Sequence, residues 1–205
     1  MENAISRQII LSIIGIFMLI ITVIGVSYAL FRLTLTGSRE NKINTGTISM
    51  SYVESTNGIS IDNAMPISDT KGKELLGDNE KFDFTISAKI SGITTIGYEV
   101  VAKKIIGFKE QVDDNDVRIY LEKESGGTYT SVLEPTAFIP LEEESSYGAP
   151  IGDMLLYSST FSNNESKLSI FNENFRLRMW LSDMAIIDEV SRQFQIKIDI
   201  YSKSL

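Results

Sequence analysis

The residues best suited to chemistry in this 205-residue chain are three closely spaced aspartates, Asp113, Asp114 and Asp116. Carboxylate oxygens on a flexible loop are ligands that Ca²⁺ accepts. The stretch lacks both the residue spacing and the distal glutamate of an EF-hand, so we interpret it as a solvated acidic turn and only a weak metal candidate. We therefore predict no metal site and no cofactor.

Composition restricts the other kinds of catalysis. The chain contains no His and no Cys, which removes the commonest general base, the commonest zinc ligand and every nucleophile arrangement built on these residues. The absence of Cys also means that no disulfide can stabilise an exported domain. We predict that the protein is not an enzyme, and keep a metal-dependent hydrolase as a minor alternative.

A second group of residues is suited to binding. Arg176, Arg178 and Trp180 alternate along a predicted strand and point away from its apolar face. Trp and Arg are enriched at interaction hot spots, so this row predicts a weak partner-contact patch. The alternative is that a loop of the same domain covers the Trp while the two Arg side chains are solvated.

Net charge narrows the class of partner. The chain has 19 Lys and Arg against 27 Asp and Glu. An acidic domain without basic runs is unsuited to the phosphates of nucleic acid, so we expect no nucleic-acid partner.

The element that organises the chain is an apolar run over residues 9–29, which follows a short leader, residues 1–8. The run contains no charged residue, and its length matches the roughly 20 apolar residues that span a bilayer as a helix. It shows no polar face of period 3.6, which a soluble helix would need. We predict that residues 9–29 enter a lipid bilayer, with the C-terminal domain outside the cell.

The run also ends like a signal peptide. Ser27 and Ala29 place small residues before a cleavage site that would leave Leu30 as the new N-terminus. A signal peptidase would then be a partner, and the domain would be secreted or displayed at the cell surface. Against cleavage, the run is long and rich in Ile and Leu, so cleavage and retention both remain open.

Residues 30–44 form an extended segment and a linker. Phe31, Leu33 and Leu35 alternate with polar residues, which is the period-2 pattern of a half-buried strand. One interpretation is a stalk or the first strand of the chain's own domain. The other is a strand that completes the sheet of another subunit, because main-chain bonds at a sheet edge supply affinity.

The remaining residues, 45–205, alternate repeatedly between apolar and polar positions. The clearest strands are predicted at residues 81–90 and 194–201, and a short one at residues 59–61. Residues 62–80 are rich in turn-forming and charged residues and predict a long surface loop. Nine or ten short strands separated by turns predict a single antiparallel β-sandwich, jelly-roll-like. The fold class is therefore mainly β, preceded by an N-terminal membrane helix that serves as signal or anchor.

Two stretches resemble the start of the TasA/camelysin family of exported proteins of Gram-positive bacteria. Residues 25–31, Gly-Val-Ser-Tyr-Ala-Leu-Phe, are similar to that family's cleavage region. Residues 44–50, Asn-Thr-Gly-Thr-Ile-Ser-Met, are similar to its first strand, with Ser49 where the family often has Asp. Beyond residue 53 the resemblance is limited to the order of the strands.

The resemblance implies a jelly-roll surface protein that is matured by a dedicated signal peptidase. In TasA-like members it also implies self-association into biofilm matrix fibres by donor-strand exchange. Camelysin-like members are metalloendopeptidases, which is the minor enzymatic alternative for a chain without His. Our first functional hypothesis is an exported or membrane-anchored structural protein of the cell surface. The alternative is a monomeric, membrane-tethered binding module for a peptide, glycan or protein, using loops such as residues 135–150.

Overall fold

The computed structural model describes residues 43–45, 48–56, 58–59, 64–107, 110–186 and 192–205. Every described residue belongs to one compact unit, Glu40–Leu205. Nine strands and one short helix are formed within the described ranges. Their bounds are β1 Ile43–Thr45, β2 Ile48–Glu54, α1 Asp69–Gly72, β3 Lys81–Ser91, β4 Thr94–Lys104, β5 Val117–Ser125, β6 Thr128–Thr136, β7 Met154–Asn163, β8 Leu168–Leu181 and β9 Ile196–Ser204.

The strands form two antiparallel sheets. One has six strands in the order β1-β2-β3-β8-β5-β6, and the other has three in the order β7-β4-β9. The apolar inner faces of both sheets contribute to one core, which makes the fold a β-sandwich. The mainly antiparallel β fold predicted from the sequence is confirmed.

β3 illustrates why alternation produces this architecture. Its residues from Phe82 to Ile90 alternate between buried apolar and more exposed polar side chains. Phe84 stacks on Phe175 of β8 with ring centroids 5.3 Å apart. In the other sheet, Tyr98 of β4 stacks on Phe161 of β7 at 4.8 Å. Each such side chain contributes about 1.5–3 kcal/mol when it is fully buried.

The registers define two ends of the sandwich. At one end lie the β3–β4 turn and the start of β8, because Ile90 pairs with Ser169. At the other end lie the β4–β5 and β8–β9 connections, because Val117 pairs with Leu181 and Lys104 with Ile196. We call these the turn end and the tip end.

Three details of the predicted strand pattern need correction. Ile59, where a short strand was expected, lies outside any strand. The predicted surface loop over residues 62–80 contains α1 and packs on the six-stranded sheet. β6 continues through Pro135 to Thr136, where the β5–β6 register shifts, and a proline is tolerated at such an irregularity of an edge strand.

The first described strand overlaps the predicted linker, residues 30–44. β1 starts at Ile43, inside the predicted linker, and pairs with β2. Within the described ranges, no helix has the length and apolar character required to cross a bilayer. The predicted membrane segment, residues 9–29, lies outside those ranges.

Candidate functional site: the open edge of the three-stranded sheet

The main candidate site is the outer edge of β9. Among the described strands only β4 pairs with β9, through a register that runs from Ile96–Ser204 to Lys104–Ile196. An edge strand of this kind offers a row of backbone donors and acceptors to an incoming strand. Strand addition at such an edge obtains its affinity from main-chain hydrogen bonds.

The inner face of β9 is apolar but incompletely covered. Ile196, Ile198 and Ile200 point towards the core, and all three are only half-buried. Their neighbours on β4, Ala102 and Val100, are fully buried. The inward side chains are therefore fully buried on β4 and only half-buried on β9, the next strand of the sheet.

β2 shows part of the same gradient in the six-stranded sheet, although Met50, the middle residue of its inner face, is buried. Ile48 and Tyr52 are half-buried, whereas their partners on β3, Ile90 and Ile86, are fully buried. Burial raises the pKa of the Tyr52 phenol, and the charge and hydrogen bond of Glu54 and the charge of Asp199 raise it further. Ile48, Tyr52 and the three isoleucines of β9 all pack against the one core that the two sheets share.

Together these side chains form what we call the open strip. It consists of Ile48 and Tyr52 of β2 and Ile196, Ile198 and Ile200 of β9, beside the edge of β9 that no other described strand pairs with. An extended segment with apolar side chains at every second position matches both features, because its backbone would pair with the edge while its apolar side chains cover the strip. The arrangement is suited to binding a β-strand.

The acidic turn is held together by local bonds. The Asp113 carboxylate accepts hydrogen bonds from the backbone N–H and the side-chain amide of Asn115, at 2.9 and 3.0 Å. Asp114 forms an ion pair with Lys104, and the Asp116 carbonyl accepts a bond from Ser182. In the part of the chain that the structure describes, no group of three or more acidic side chains is arranged to hold a metal ion.

The predicted contact row lies on the outer face of the six-stranded sheet, but it is not a free surface. Arg176 donates two hydrogen bonds to Asp83, at 2.8 and 3.0 Å, and stacks over Tyr129. Burial raises the pKa of Asp83, but the bonds and charges of Arg176 and Lys81 outweigh it, so this pKa lies below its ordinary value. The Arg176 side chain is therefore held by contacts within the six-stranded sheet.

Arg178 and Trp180 are both buried, so the row is not an exposed patch. The alternative of a loop of the same domain over Trp180 is confirmed, but Arg178 is not solvated as that alternative expected. Arg178 donates to the Leu75 carbonyl at 2.5 Å and to Glu122 at 2.6 Å. A Cβ on Gly72 would collide with the indole of Trp180. The α1 segment thus covers Trp180 because a glycine lets the backbone approach the ring closely.

The structure also contains a polar cluster between the sheets that the sequence reading missed. Glu173 of β8 accepts a hydrogen bond from the Tyr98 hydroxyl and forms a 2.8 Å ion pair with Lys123. Lys123 also donates to the Tyr157 hydroxyl at 3.1 Å. Glu173 and Lys123 occupy inward positions by strand parity, after Phe171 and Leu121 respectively, and that signal could have identified them.

Each charge in this cluster has a partner of opposite sign or a hydroxyl. Burial lowers the pKa of Lys123, but its bonds to Glu173 and Tyr157 more than compensate, so the net shift is upward. Burial raises the pKa of Tyr98, and the bond to Glu173 raises it further. The cluster therefore joins the two sheets through hydrogen bonds and one ion pair.

Residues 137–153, which include most of the loop proposed for a binding module, pack against the three-stranded sheet. Tyr147 lies against Gly97, where a Cβ would collide with its ring. The buried Glu99 carboxylate accepts hydrogen bonds from the Ser145 hydroxyl and, at 3.3 Å, from the Tyr147 backbone. This loop closes one outer face of the sandwich.

The remaining predicted site residues lie outside the described residues. These are the cleavage-site residues Ser27, Ala29 and Leu30 and the strand-exchange residues Phe31, Leu33 and Leu35. Their roles stay predictions.

Comparison with known proteins adds little to this geometry. No family model matches the chain, and no curated protein matches it. Among solved structures, the chain is similar to TmCBM61, a carbohydrate-binding module solved in complex with β-1,4-galactotriose, at 11% sequence identity and a TM-score of 0.19. The match covers 75% of this chain and 81% of that one. At that TM-score the similarity carries no argument about fold or function.

Proposed function

We propose that this protein is an exported or membrane-anchored structural protein of the cell surface that self-associates by strand addition. The acceptor is the open strip and the unpaired edge of β9. The donor is the extended segment of a second copy, residues 30–36, with Phe31, Leu33 and Leu35 facing the strip. In the uncleaved form, residues 9–29 hold the protein in the bilayer. The proposal also includes a jelly-roll type of β-sandwich.

The single observation that carries the proposal is the half-burial of Ile196, Ile198 and Ile200 on an edge strand. Covering apolar surface is favourable at about 25 cal/mol per Å², so a strand laid beside β9 gains both backbone bonds and apolar burial. At about 3.3 Å per residue, residues 30–36 span about 23 Å. β9 is longer, at nine residues, so the edge can accommodate the segment.

The experiment compares three variants of the full chain with the wild type by sedimentation in detergent. The donor variant lacks residues 30–36, and the acceptor variant is Ile198→Lys, which places a charge in the open strip. The control is Thr160→Lys, which adds the same charge at an exposed position of β7. We expect the wild type and the control to form multimers, and both other variants to remain monomeric.

Mixing the donor and acceptor variants sharpens the test. The deletion variant retains an intact acceptor edge, and Ile198→Lys retains an intact donor segment. Donor–acceptor pairing predicts that the mixture forms complexes of one copy of each variant and stops there. A monomeric wild type, or multimers that survive both changes, would contradict the proposal.

A further inference from the structure

The tip end of the sandwich carries large apolar side chains that no part of the described domain covers. Ile106 follows β4, and Met184 and Ile186 follow β8; they are 80%, 83% and 86% exposed. Met65 and Ile139 are also exposed and belong to the same end, because Ile67 bonds to Leu181 and Phe138 bonds to Asp114. We call these five side chains the apolar tip.

The loops of the apolar tip are connected to one another. Ile105 and Val112 donate backbone bonds to the carbonyls of Gln195 and Gln193, at 2.9 and 3.1 Å, and Ser182 donates to the Asp116 carbonyl at 2.7 Å. The β4–β5 connection is therefore attached to both ends of the β8–β9 connection. These bonds lie on both sides of Ile106 in the first connection and on both sides of Met184 and Ile186 in the second.

The directions of β1 and β2 show at which end of the sandwich the first described strand begins. β1 is antiparallel to β2, and Ile43 pairs with Met50. β2 runs from the turn end to the tip end, since Ile48 pairs with Ile90 and Glu54 with Phe84. The chain therefore enters β1 from the side of the tip end.

The length of the preceding chain is consistent with a nearby membrane. Residues 30–42 separate the apolar run from β1 and reach at most about 45 Å when extended. A run held in a bilayer would thus keep the domain within that distance of the lipid surface, at a high effective concentration. Exposed apolar side chains presented to an interface in this way favour insertion among the head groups.

We propose that the apolar tip inserts into the interfacial layer of the bilayer that holds residues 9–29, so that the domain sits on the membrane with its tip end down. The carboxylates of the adjacent acidic turn make an attraction to anionic lipid unfavourable, so the contact is apolar. The inference rests on the membrane-anchored form of the proposed function. It does not depend on strand addition.

The test uses the absence of cysteine in the chain. Single-cysteine variants of the full-length protein are made at the tip, Ile106→Cys and Ile186→Cys, and at the turn end, Ile93→Cys, whose wild-type residue is 72% exposed. Each carries a small fluorophore and is reconstituted into phosphatidylcholine vesicles with and without nitroxide-labelled phosphatidylcholine. Emission of the single Trp180 checks that each variant is folded, and Met184→Cys replaces either tip variant if it is not.

We expect nitroxide lipid to quench the tip labels at least twofold more strongly than the Ile93→Cys label. Equal quenching at both ends, stronger quenching at the turn end, or no quenching at either end would overturn the inference. Self-quenching of the tip labels that increases with protein density and does not depend on nitroxide lipid would also overturn the inference. A second copy would then cover the tip. Sedimentation of the same samples reports strand addition separately.

Discussion

β7 and β9 are the two edge strands of one three-stranded sheet, yet their inner faces are covered to different degrees. Met154, Leu156 and Phe161 of β7 are each 3% exposed. The corresponding isoleucines of β9 are half-buried. Being at an edge therefore does not by itself leave a strand's apolar face open.

The difference comes from what each strand faces in the other sheet. Tyr157 and Phe161 of β7 contact Phe175 and Phe171 of β8, with ring centroids 5.3 and 5.4 Å apart. The Asn163 side chain donates to the Ile90 carbonyl at 3.0 Å. β7 thus lies over β3 and β8, the middle strands of the six-stranded sheet, whereas the inner isoleucines of β9 are only half-buried against the core. The two edges of this sheet therefore differ in how much of their apolar face is covered.

The largest expected effect compares core truncations at the two edges. Leu156→Ala on β7 should lower the free energy of unfolding by about 2–5 kcal/mol, because it leaves a cavity in a closed core. Ile198→Ala on β9 should cost less than about 2 kcal/mol, because the side chain is already half in water. Urea unfolding followed by Trp180 emission measures both, under conditions where the protein is monomeric. Equal costs would mean that β9 is covered as fully as β7.

A smaller effect compares ion pairs. Lys123–Glu173, beneath β7, is 2.8 Å long with 24% and 16% of the two side chains exposed. Lys197–Asp199, on β9, is 2.9 Å long, but its lysine is 54% exposed. Lys123→Met should cost about 1–3 kcal/mol, because it leaves the Glu173 carboxylate without its cation. Lys197→Met should cost at most about 1 kcal/mol.

The same urea titration separates the two outcomes for the ion pairs. A loss at Lys197→Met as large as that at Lys123→Met would show that the β9 pair is buried by something beyond the described domain. Glu173→Gln serves as the second variant for the β7 pair, because it keeps the shape of the side chain while removing its charge.

The sequence predicted the sheet-forming faces well and their depth of burial poorly. The alternation in residues 194–201 is as regular as that in residues 81–90, yet β9 is half-covered and β3 is fully covered. Period-2 alternation identifies which face of a strand is apolar, but not how much of the opposite sheet lies over that face. That quantity depends on topology, which is fixed by contacts between residues far apart in the chain.

The candidate site shows the same limit. The position of Trp180 on the outer face was readable from strand parity, but its burial under α1 depends on Gly72, which lies far away in the sequence. The acidic turn was correctly interpreted as a turn, because Asp and Asn favour bonds to nearby backbone groups. The open strip was not predicted, since it is defined by a strand that is missing beside β9 among the described residues.

The smallest effect is a pH dependence that compares Tyr98, beneath β7, with Tyr52, in the open strip. The pKa of each phenol is raised in the fold, mainly by burial. A group whose pKa is higher in the folded state contributes stability below its unfolded pKa, and that stability is lost as the pH rises above about 10. We therefore expect the urea concentration at the midpoint of unfolding to decrease as the pH is raised from about 10 to about 12. The decrease should be smaller in Tyr98→Phe and in Tyr52→Phe.

Strand addition should affect the pH dependence of the two tyrosines differently. A strand that covers the open strip would bury Tyr52 further and leave the surroundings of Tyr98 unchanged. At protein concentrations where the wild type forms multimers, deleting residues 30–36 should then reduce the alkaline loss that depends on Tyr52 and leave the loss that depends on Tyr98 as it was. If the deletion changes neither tyrosine's contribution, or changes both equally, the open strip is not where residues 30–36 bind, and the contrast between β7 and β9 would concern stability alone.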